Sequence, residues 1–162
     1  MKKILALMLV IVMLFAAAGC GQEGEEGPEA GTALSTFYDA VIAVQPEEAE
    51  ELILFEESDP GLIESFYPGL AEIQLNQQAF YMPPVATAPC EIVLVEVADS
   101  GDVQSVKDIF RARIDKGASD TTYPESALGW QSLAQVQSSG NFVCMIVLPE
   151  GNVIPENVFE VN

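Results

Sequence analysis

The chain has 162 residues, no histidine, and 25 acidic against six basic residues, which gives a net charge of −19 at neutral pH. The length suits one ordinary domain, and the charge opposes binding to nucleic acid or to anionic lipid headgroups. The absence of histidine excludes Ser-His-Asp and Cys-His catalytic sites, histidine-ligated zinc and the usual near-neutral general base.

Residues 1–19 are predicted to be an export signal. Lys2 and Lys3 form a basic head, and the fifteen residues 4–18 that follow are all apolar. A helix of that length would measure roughly 22 Å, which is too short for the roughly 30 Å hydrocarbon core of a bilayer. The segment is therefore predicted to direct export rather than to span the membrane.

Three small residues precede Cys20, and the tetrad Ala17-Ala18-Gly19-Cys20 resembles the lipobox of bacterial lipoproteins, with Ala17 where leucine is commoner. The resemblance implies cleavage before Cys20 and attachment of diacylglycerol to its thiol. The alternative is an ordinary secreted protein with an incidental cysteine. Cleavage would leave four basic and 25 acidic residues, a net charge of about −21, so a covalent anchor would be needed to hold the chain at the membrane.

Residues 20–33 are predicted to form a flexible tether, because they contain four glutamates and no large apolar side chain. The glycines from 19 to 24 spell the G-x-G-x-x-G of dinucleotide-binding turns. That motif needs a strand before it and a helix after it, which the pattern does not predict, and the nearby carboxylates would repel phosphate. We therefore predict no nucleotide site here.

Residues 34–162 are predicted to form one extracytoplasmic domain whose first half contains short helices. Apolar residues at helical spacing from Leu34 to Val41 predict a helix that runs to about Val44. Pro46 predicts the start of a second helix, which would lead to about Ile53. Asp59-Pro60 predicts a third helix, which would break at Tyr67-Pro68-Gly69.

The second half of the domain combines strands with helices. Strands are predicted at 79–82, 91–97, 133–137 and 141–148, and the last two flank a three-residue loop, Ser138-Ser139-Gly140. A helix is predicted at 103–116, capped by Asp102 and closed by Gly117, and another from Glu125 to about Ser132. This order predicts a single α+β domain: an antiparallel sheet of about four strands with helices on one face, preceded by short N-terminal helices.

Several stretches between residues 34 and 150 together carry a resemblance: Phe66–Gly69, Cys90–Val97, Val103–Lys107 with Arg113, Tyr123-Pro124 and Gly140–Val143. In these stretches the chain resembles a domain-of-unknown-function family of small lipoproteins from Gram-positive bacteria, although Phe142 stands where tyrosine is expected. The family has no established activity. The resemblance therefore implies no catalytic role for any residue.

Acidic residues suggest two kinds of site. A carboxylate pair could perform glycosidase-type chemistry, but it is defined by a separation of about 5 to 10 Å in three dimensions, and solvated surface charge is the simpler expectation. Asp99-Ser-Gly-Asp102 lacks the twelve-residue alternation of an EF-hand loop and is predicted to cap a helix. We predict no catalytic, cofactor-binding or metal-binding residues.

Basic and aromatic residues each allow a binding site and a structural alternative. The basic residues after the export signal all fall in one predicted helix, where neutralisation by nearby carboxylates is favoured over a patch for an anionic ligand: Lys107, Arg111, Arg113 and Lys116. A second set could line a peptide or glycan groove, but core packing is favoured: Phe80, Tyr81, Met82, Tyr123 and Trp130.

Cys90 and Cys144 invite a disulfide, because the domain is predicted to be exported. We predict instead that both are free packing residues. Cys90 precedes its strand while Cys144 lies in the middle of another, so antiparallel pairing would place Cys144 opposite a residue near Leu94.

The sequence therefore predicts a lipoprotein that is anchored at Cys20 on the extracytoplasmic side of the membrane. Its domain is predicted to be non-catalytic and to bind or scaffold a partner at the cell envelope. The alternatives are a receptor domain for a small peptide or glycan and, third, a carboxylate-dependent hydrolase. The sequence does not identify the partner or the oligomeric state.

Overall fold

The computed structural model describes residues 27–84 and 88–160, so the predicted export signal and Cys20 lie outside the described residues. The four α-helices of these residues are α1 (Leu34–Ala43), α2 (Pro60–Phe66), α3 (Val103–Ala118) and α4 (Pro124–Leu133). The five strands are β1 (Phe55–Glu57), β2 (Leu75–Met82), β3 (Glu91–Val97), β4 (Gln135–Ser139) and β5 (Phe142–Val147). Short 3₁₀ turns occur at Leu70–Glu72 and Ser100–Asp102.

The strands form one antiparallel sheet in the order β1-β2-β3-β5-β4. Every residue of the central strands β3 and β5 is buried. Both strands are nearly continuous apolar runs, as expected for strands that are covered on both faces. The α+β class and the antiparallel sheet predicted from the sequence are confirmed, with five strands instead of about four.

Helices cover both faces of the sheet, so the prediction that they lie on one face is wrong. On one face α1 packs with Ile92, Leu94 and Ile146. On the other face α3 and α4 pack with Val93 and Val95. The physical reason is that successive side chains of a strand point to opposite faces, so an unbroken apolar strand requires cover on each side.

The helix predicted to start at Pro46 does not form, and residues 44–54 follow an irregular path to the edge strand β1. Contacts distant in sequence hold this path. The Gln45 side-chain amide donates to the carbonyl of Val153 (2.8 Å), and the Asn152 amide donates to the carbonyl of Glu50 (3.2 Å). Leu52 meanwhile packs against the core. These tertiary contacts outweigh a local preference that is worth only tenths of a kcal/mol per residue.

Helix ends show which local predictions succeed. Asp59 caps α2, accepting hydrogen bonds from the amides of Gly61 (2.8 Å) and Leu62 (3.0 Å). Asp102 precedes α3 without a side-chain cap, and Asp99 instead accepts from Gly101 (2.8 Å). The prediction that Asp102 caps α3 is thus wrong, and Asp99 caps the 3₁₀ turn that precedes the helix.

Gly117 lies inside α3 instead of closing it. A Cβ at this position would come within 2.5 Å of the Trp130 ring, so the glycine permits α4 to approach α3 closely. The β4–β5 loop is also shorter than predicted. It has two residues, with Gly140 at φ +55° in the first position, as type II′ hairpin turns require.

Within residues 27–84 and 88–160, no helix combines the length and the hydropathy that a membrane span needs.

Candidate functional site

A charged cluster lies buried between the start of β3 and helix α3. Glu91 is 2 % exposed and Arg113 is 7 % exposed, and the guanidinium forms a two-nitrogen ion pair with the carboxylate through Nε and Nη2. The Tyr67 hydroxyl donates to the second oxygen, Glu91 Oε2, at 2.7 Å. Two-point pairing and a third hydrogen bond are what a buried carboxylate needs to offset its lost hydration.

Aromatic rings enclose the guanidinium. The Arg113 carbon Cζ lies 4.3 Å from the centre of the Trp130 ring and 4.9 Å from that of Phe66. Burial, followed by the negative charge of Glu91, raises the pKa of Tyr67 well above its ordinary value, so the phenol stays protonated and keeps donating. Since the carboxylate is occupied by these partners, the cluster is a structural ion pair that holds α3 against β3.

The second buried carboxylate, Glu96, lies on the opposite face of the sheet. It is 1 % exposed and accepts from the amide of Gly31 (3.0 Å) and from the Gln77 side chain (2.8 Å). Glu91 and Glu96 are separated by five positions on one strand, so they point to opposite faces. They cannot converge on one substrate, as a glycosidase pair must.

Glu96 also holds the end of the segment that the sequence assigns to the tether. The amide of Gly31 is bound to it, and the carbonyl of Thr32 accepts from Gln77 (3.1 Å). No basic side chain of the described residues pairs with Glu96, and amide donors stabilise the carboxylate instead, since hydrogen bonds to a charged acceptor are stronger than neutral ones.

The basic residues of α3 are dispersed among separate partners. Arg111 pairs with Asp108 on the surface (2.9 Å), and Lys107 donates to the Ser138 hydroxyl (3.1 Å). Lys116 donates to the carbonyl of Ser65 (3.3 Å). The two arginines are thus paired with carboxylates as predicted, whereas the two lysines contact uncharged oxygens.

The aromatic residues proposed for a groove are likewise dispersed. Phe80, Met82 and Trp130 are buried in one hydrophobic cluster. Tyr81 is on the other face, where it stacks on Tyr38 with ring centres 3.8 Å apart. The predicted core role therefore holds for the three buried residues, and it is wrong for Tyr123, which is 49 % exposed.

Cys90 and Cys144 are both buried and free, as predicted. Cys144 lies opposite Leu94 in the β3–β5 ladder, which is the pairing expected from the sequence. Burial, with smaller contributions from the charges of Glu50 and Glu91, raises the pKa of Cys90 to about 11, and burial also raises the pKa of Cys144. A thiol that resists ionisation is a poor nucleophile, so both act as apolar packing residues.

Surface hollows occur beside the β1 edge of the sheet. One, of about 350 Å³, is lined by apolar and proline residues, of which Phe55 and Leu62 are exposed and Met82 is buried: Phe55, Leu62, Phe66, Met82, Pro83 and Pro84, together with Glu57. Phe55 is 58 % exposed although it is a large aromatic residue. A second hollow, of about 440 Å³, adjoins β2 on the other side of α2. Among the described residues, no group of three or more metal-ligating side chains is found.

A family model for a domain of unknown function, DUF4358, matches residues 56–148. The chain belongs to the DUF4358 family. The comparison with curated proteins and the comparison with solved structures each found no match. The resemblance inferred from the sequence is thus confirmed as membership of a family of domains of unknown function, while the lipid anchor remains a prediction.

The DUF4358 match includes the whole buried cluster and the edge strand β4, and it begins after α1, at the second residue of β1. Sequence reasoning treated Arg113 as one of four similar basic residues and did not identify Glu91 as its partner. The position of Glu91 could have indicated the pair, because a glutamate at the start of an apolar strand is costly to bury unless a cation accompanies it. The edge strand β1 was missed because three residues give too short a period-two pattern.

Proposed function

We propose that this DUF4358 protein is a lipoprotein anchored at Cys20 on the extracytoplasmic side of the cell membrane, where its domain binds or scaffolds an envelope partner without catalysing a reaction. The anchor rests on the Ala17-Ala18-Gly19-Cys20 tetrad after the apolar segment 4–18. A charge of about −21 after cleavage would repel anionic headgroups, so covalent attachment is the means of retention that fits this composition.

The observation that carries the non-catalytic part of the proposal is the separation of the two buried carboxylates. Glu91 is bound to Arg113 and Tyr67, and Glu96, on the opposite face, is bound to amide donors. Acid–base catalysis requires a titratable group that faces a cleft and is available to a substrate. Both of these groups are instead held by hydrogen bonds inside the fold.

The binding part of the proposal is supported by the β1 edge of the sheet. Phe55 and Leu62 are exposed and line the same hollow. Grouped apolar side chains at the rim of a hollow are typical of sites that a partner covers. A receptor for a small peptide or glycan is the second candidate, because hollows of about 350 and 440 Å³ fall within the size range of ligand pockets.

The anchor is tested by intact-mass analysis of the protein from the membrane fraction of a lipoprotein-processing bacterium. We expect loss of the first nineteen residues and the added mass of a diacylglyceryl group. Cys20→Ala should abolish this processing. Cys90→Ala is the matched control and should be processed normally. Unchanged lipid attachment in Cys20→Ala would refute the anchor.

Partner binding is tested by placing a photo-crosslinking phenylalanine analogue at Phe55 in cells. Leu128, which is 62 % exposed on α4, is the matched control position. We expect a discrete crosslinked envelope protein from position 55 and none from position 128. Identical crosslinking patterns from the two positions would contradict a binding surface at the β1 edge.

A further inference from the structure

The backbone hydrogen bonds show which groups of β2 point to the open edge of the sheet. Val97 donates its amide to the carbonyl of Asn141 (2.9 Å), the residue just before β5, so the backbone groups of Val97 point toward β5. Backbone groups of successive residues in an antiparallel strand point alternately to the two sides. Leu94 is three positions from Val97, so its backbone groups point the other way, toward β2. Those of its partner Ala79 point back toward β3. It follows that Gln78 and Phe80 direct their amide and carbonyl groups away from β3.

Strand β1 occupies only part of this outward edge. Its last residue, Glu57, lies opposite Phe80, and the chain then turns away from the sheet. The Glu57 carboxylate accepts from the amides of Ser58 (2.8 Å) and Asp59 (2.7 Å), and Asp59 caps α2. Among the described residues, no strand lies opposite Gln78 on this side.

The space beside Gln78 is a hollow of about 440 Å³ instead of a covering segment. It lies between the start of α2 and the first half of β2, and it is lined by residues from the segments 58–64, 70–73 and 75–78. An unpaired edge with space beside it is a template for another extended segment. Such an addition would continue the line of β1 and complete the ladder along β2.

The surroundings of this edge specify the chemistry of the segment it would accept. Ile63, Leu70 and Leu75 give the hollow an apolar side. On the opposite face of the sheet, Glu56 of β1 lies across from Tyr81. Burial raises the pKa of Tyr81, and the negative charges of Glu56 and Asp39 both raise it further. The sequence contains no lysine or arginine from residue 4 to residue 106. An entering strand with apolar residues on one face and cations on the other would match both features.

We propose that the open edge of β2 at Gln78 binds an extended segment of a partner protein in which apolar residues alternate with lysine or arginine. The proposal deepens the proposed binding function and rests on it. A second copy of this chain is a poor occupant, because its own edge is equally acidic and like charges would be brought together.

The proposal is tested by fluorescence anisotropy with the full chain purified in detergent. The probe is a labelled ten-residue peptide of alternating valine and lysine. A peptide with five consecutive valines followed by five lysines has the same composition and charge, and it controls for non-specific attraction. We expect the alternating peptide to bind at least about tenfold more tightly, because only it presents one apolar and one cationic face as a strand.

Two variants at Gln78 separate the backbone from the side chain. Gln78→Pro removes the outward amide while leaving the bonds from Ala79 to β3, and proline is tolerated on an edge strand. It should weaken binding of the alternating peptide at least about tenfold. Gln78→Ala keeps the amide and should bind within about twofold of the parent chain. Equal affinity of the proline variant, or an equal loss in the alanine variant, would overturn the proposal.

Two further measurements keep the result interpretable. Hydrogen exchange should show protection of the Gln78 amide on addition of the alternating peptide, and an unprotected amide would overturn the proposal even if the proline variant failed to fold. Glu56→Gln removes one of the acids that the cationic face would meet and should weaken binding about threefold at low salt. Retained crosslinking from Phe55 with no effect at Gln78 would reject the β2 edge and leave the proposed function standing.

Discussion

The buried ion pair gives the sharpest prediction about stability. Arg113→Met replaces the guanidinium with an apolar side chain of similar length and leaves the Glu91 carboxylate with Tyr67 as its remaining side-chain donor. Both charged groups are more than nine-tenths buried, so the remaining charge cannot be rehydrated without opening the core. Removing one partner of such a pair costs about 3 to 5 kcal/mol, and the bond from Tyr67 favours the lower end of that range.

Replacing both partners should cost less than replacing one. The double variant Glu91→Leu with Arg113→Met removes both charges and leaves the Tyr67 hydroxyl without its acceptor, which costs about 1 to 3 kcal/mol. Arg113→Lys retains the charge but loses the two-point geometry and should fall between Arg113→Met and the parent chain. The single variants Arg113→Met and Glu91→Leu complete the cycle. The sum of their losses in free energy of unfolding should exceed the loss in the double variant by about 2 kcal/mol or more.

The assay is urea unfolding followed by intrinsic fluorescence. Trp130 is the single tryptophan of the chain and stacks on the Arg113 guanidinium, so its emission reports directly on this cluster. The free energies of unfolding are compared in a double-mutant cycle. Additive losses within about 0.5 kcal/mol would refute the reasoning, because they would mean that Glu91 and Arg113 do not stabilise one another.

Three further predictions concern the interior. Thiol titration of a chain that starts after the predicted lipid-attachment cysteine should find no reactive thiol when folded and two when denatured without reductant; none after denaturation would reveal a Cys90–Cys144 disulfide. Gly117→Ala should lower the free energy of unfolding by about 1 to 3 kcal/mol, because its Cβ would come within 2.5 Å of Trp130; Ser105→Ala, at an exposed position of the same helix, should change stability by less than about 0.5 kcal/mol in a parallel urea titration. The free energy of unfolding should fall as the pH rises from 9 to about 11, because Cys90 ionises in the unfolded chain before it does in the folded one; Cys90→Ala should flatten this decline, and an unchanged slope would contradict the raised pKa.

Local sequence was sufficient for several features of the fold. The apolar spacing from Leu34 to Val41 predicted α1, and the strand-length run of β-branched residues predicted β3. Asp59-Pro60 marked the start of α2 because its capping bonds lie within three residues. The pairing of Cys144 with Leu94 also followed, since antiparallel neighbours of known length have few possible registers.

Tertiary structure decided the features that depend on distant residues. The continuous apolar runs of β3 and β5 required cover on both faces, but which helix covers which face was decided only when the helices packed on the sheet. Nor could the sequence reveal that Gln45 and Asn152 would hold residues 44–54 out of a helix. The Glu91–Arg113 pair and the open edge at Gln78 have the same origin: charge pairing and strand pairing join residues far apart in the chain, whereas periodicity and capping report only on near neighbours.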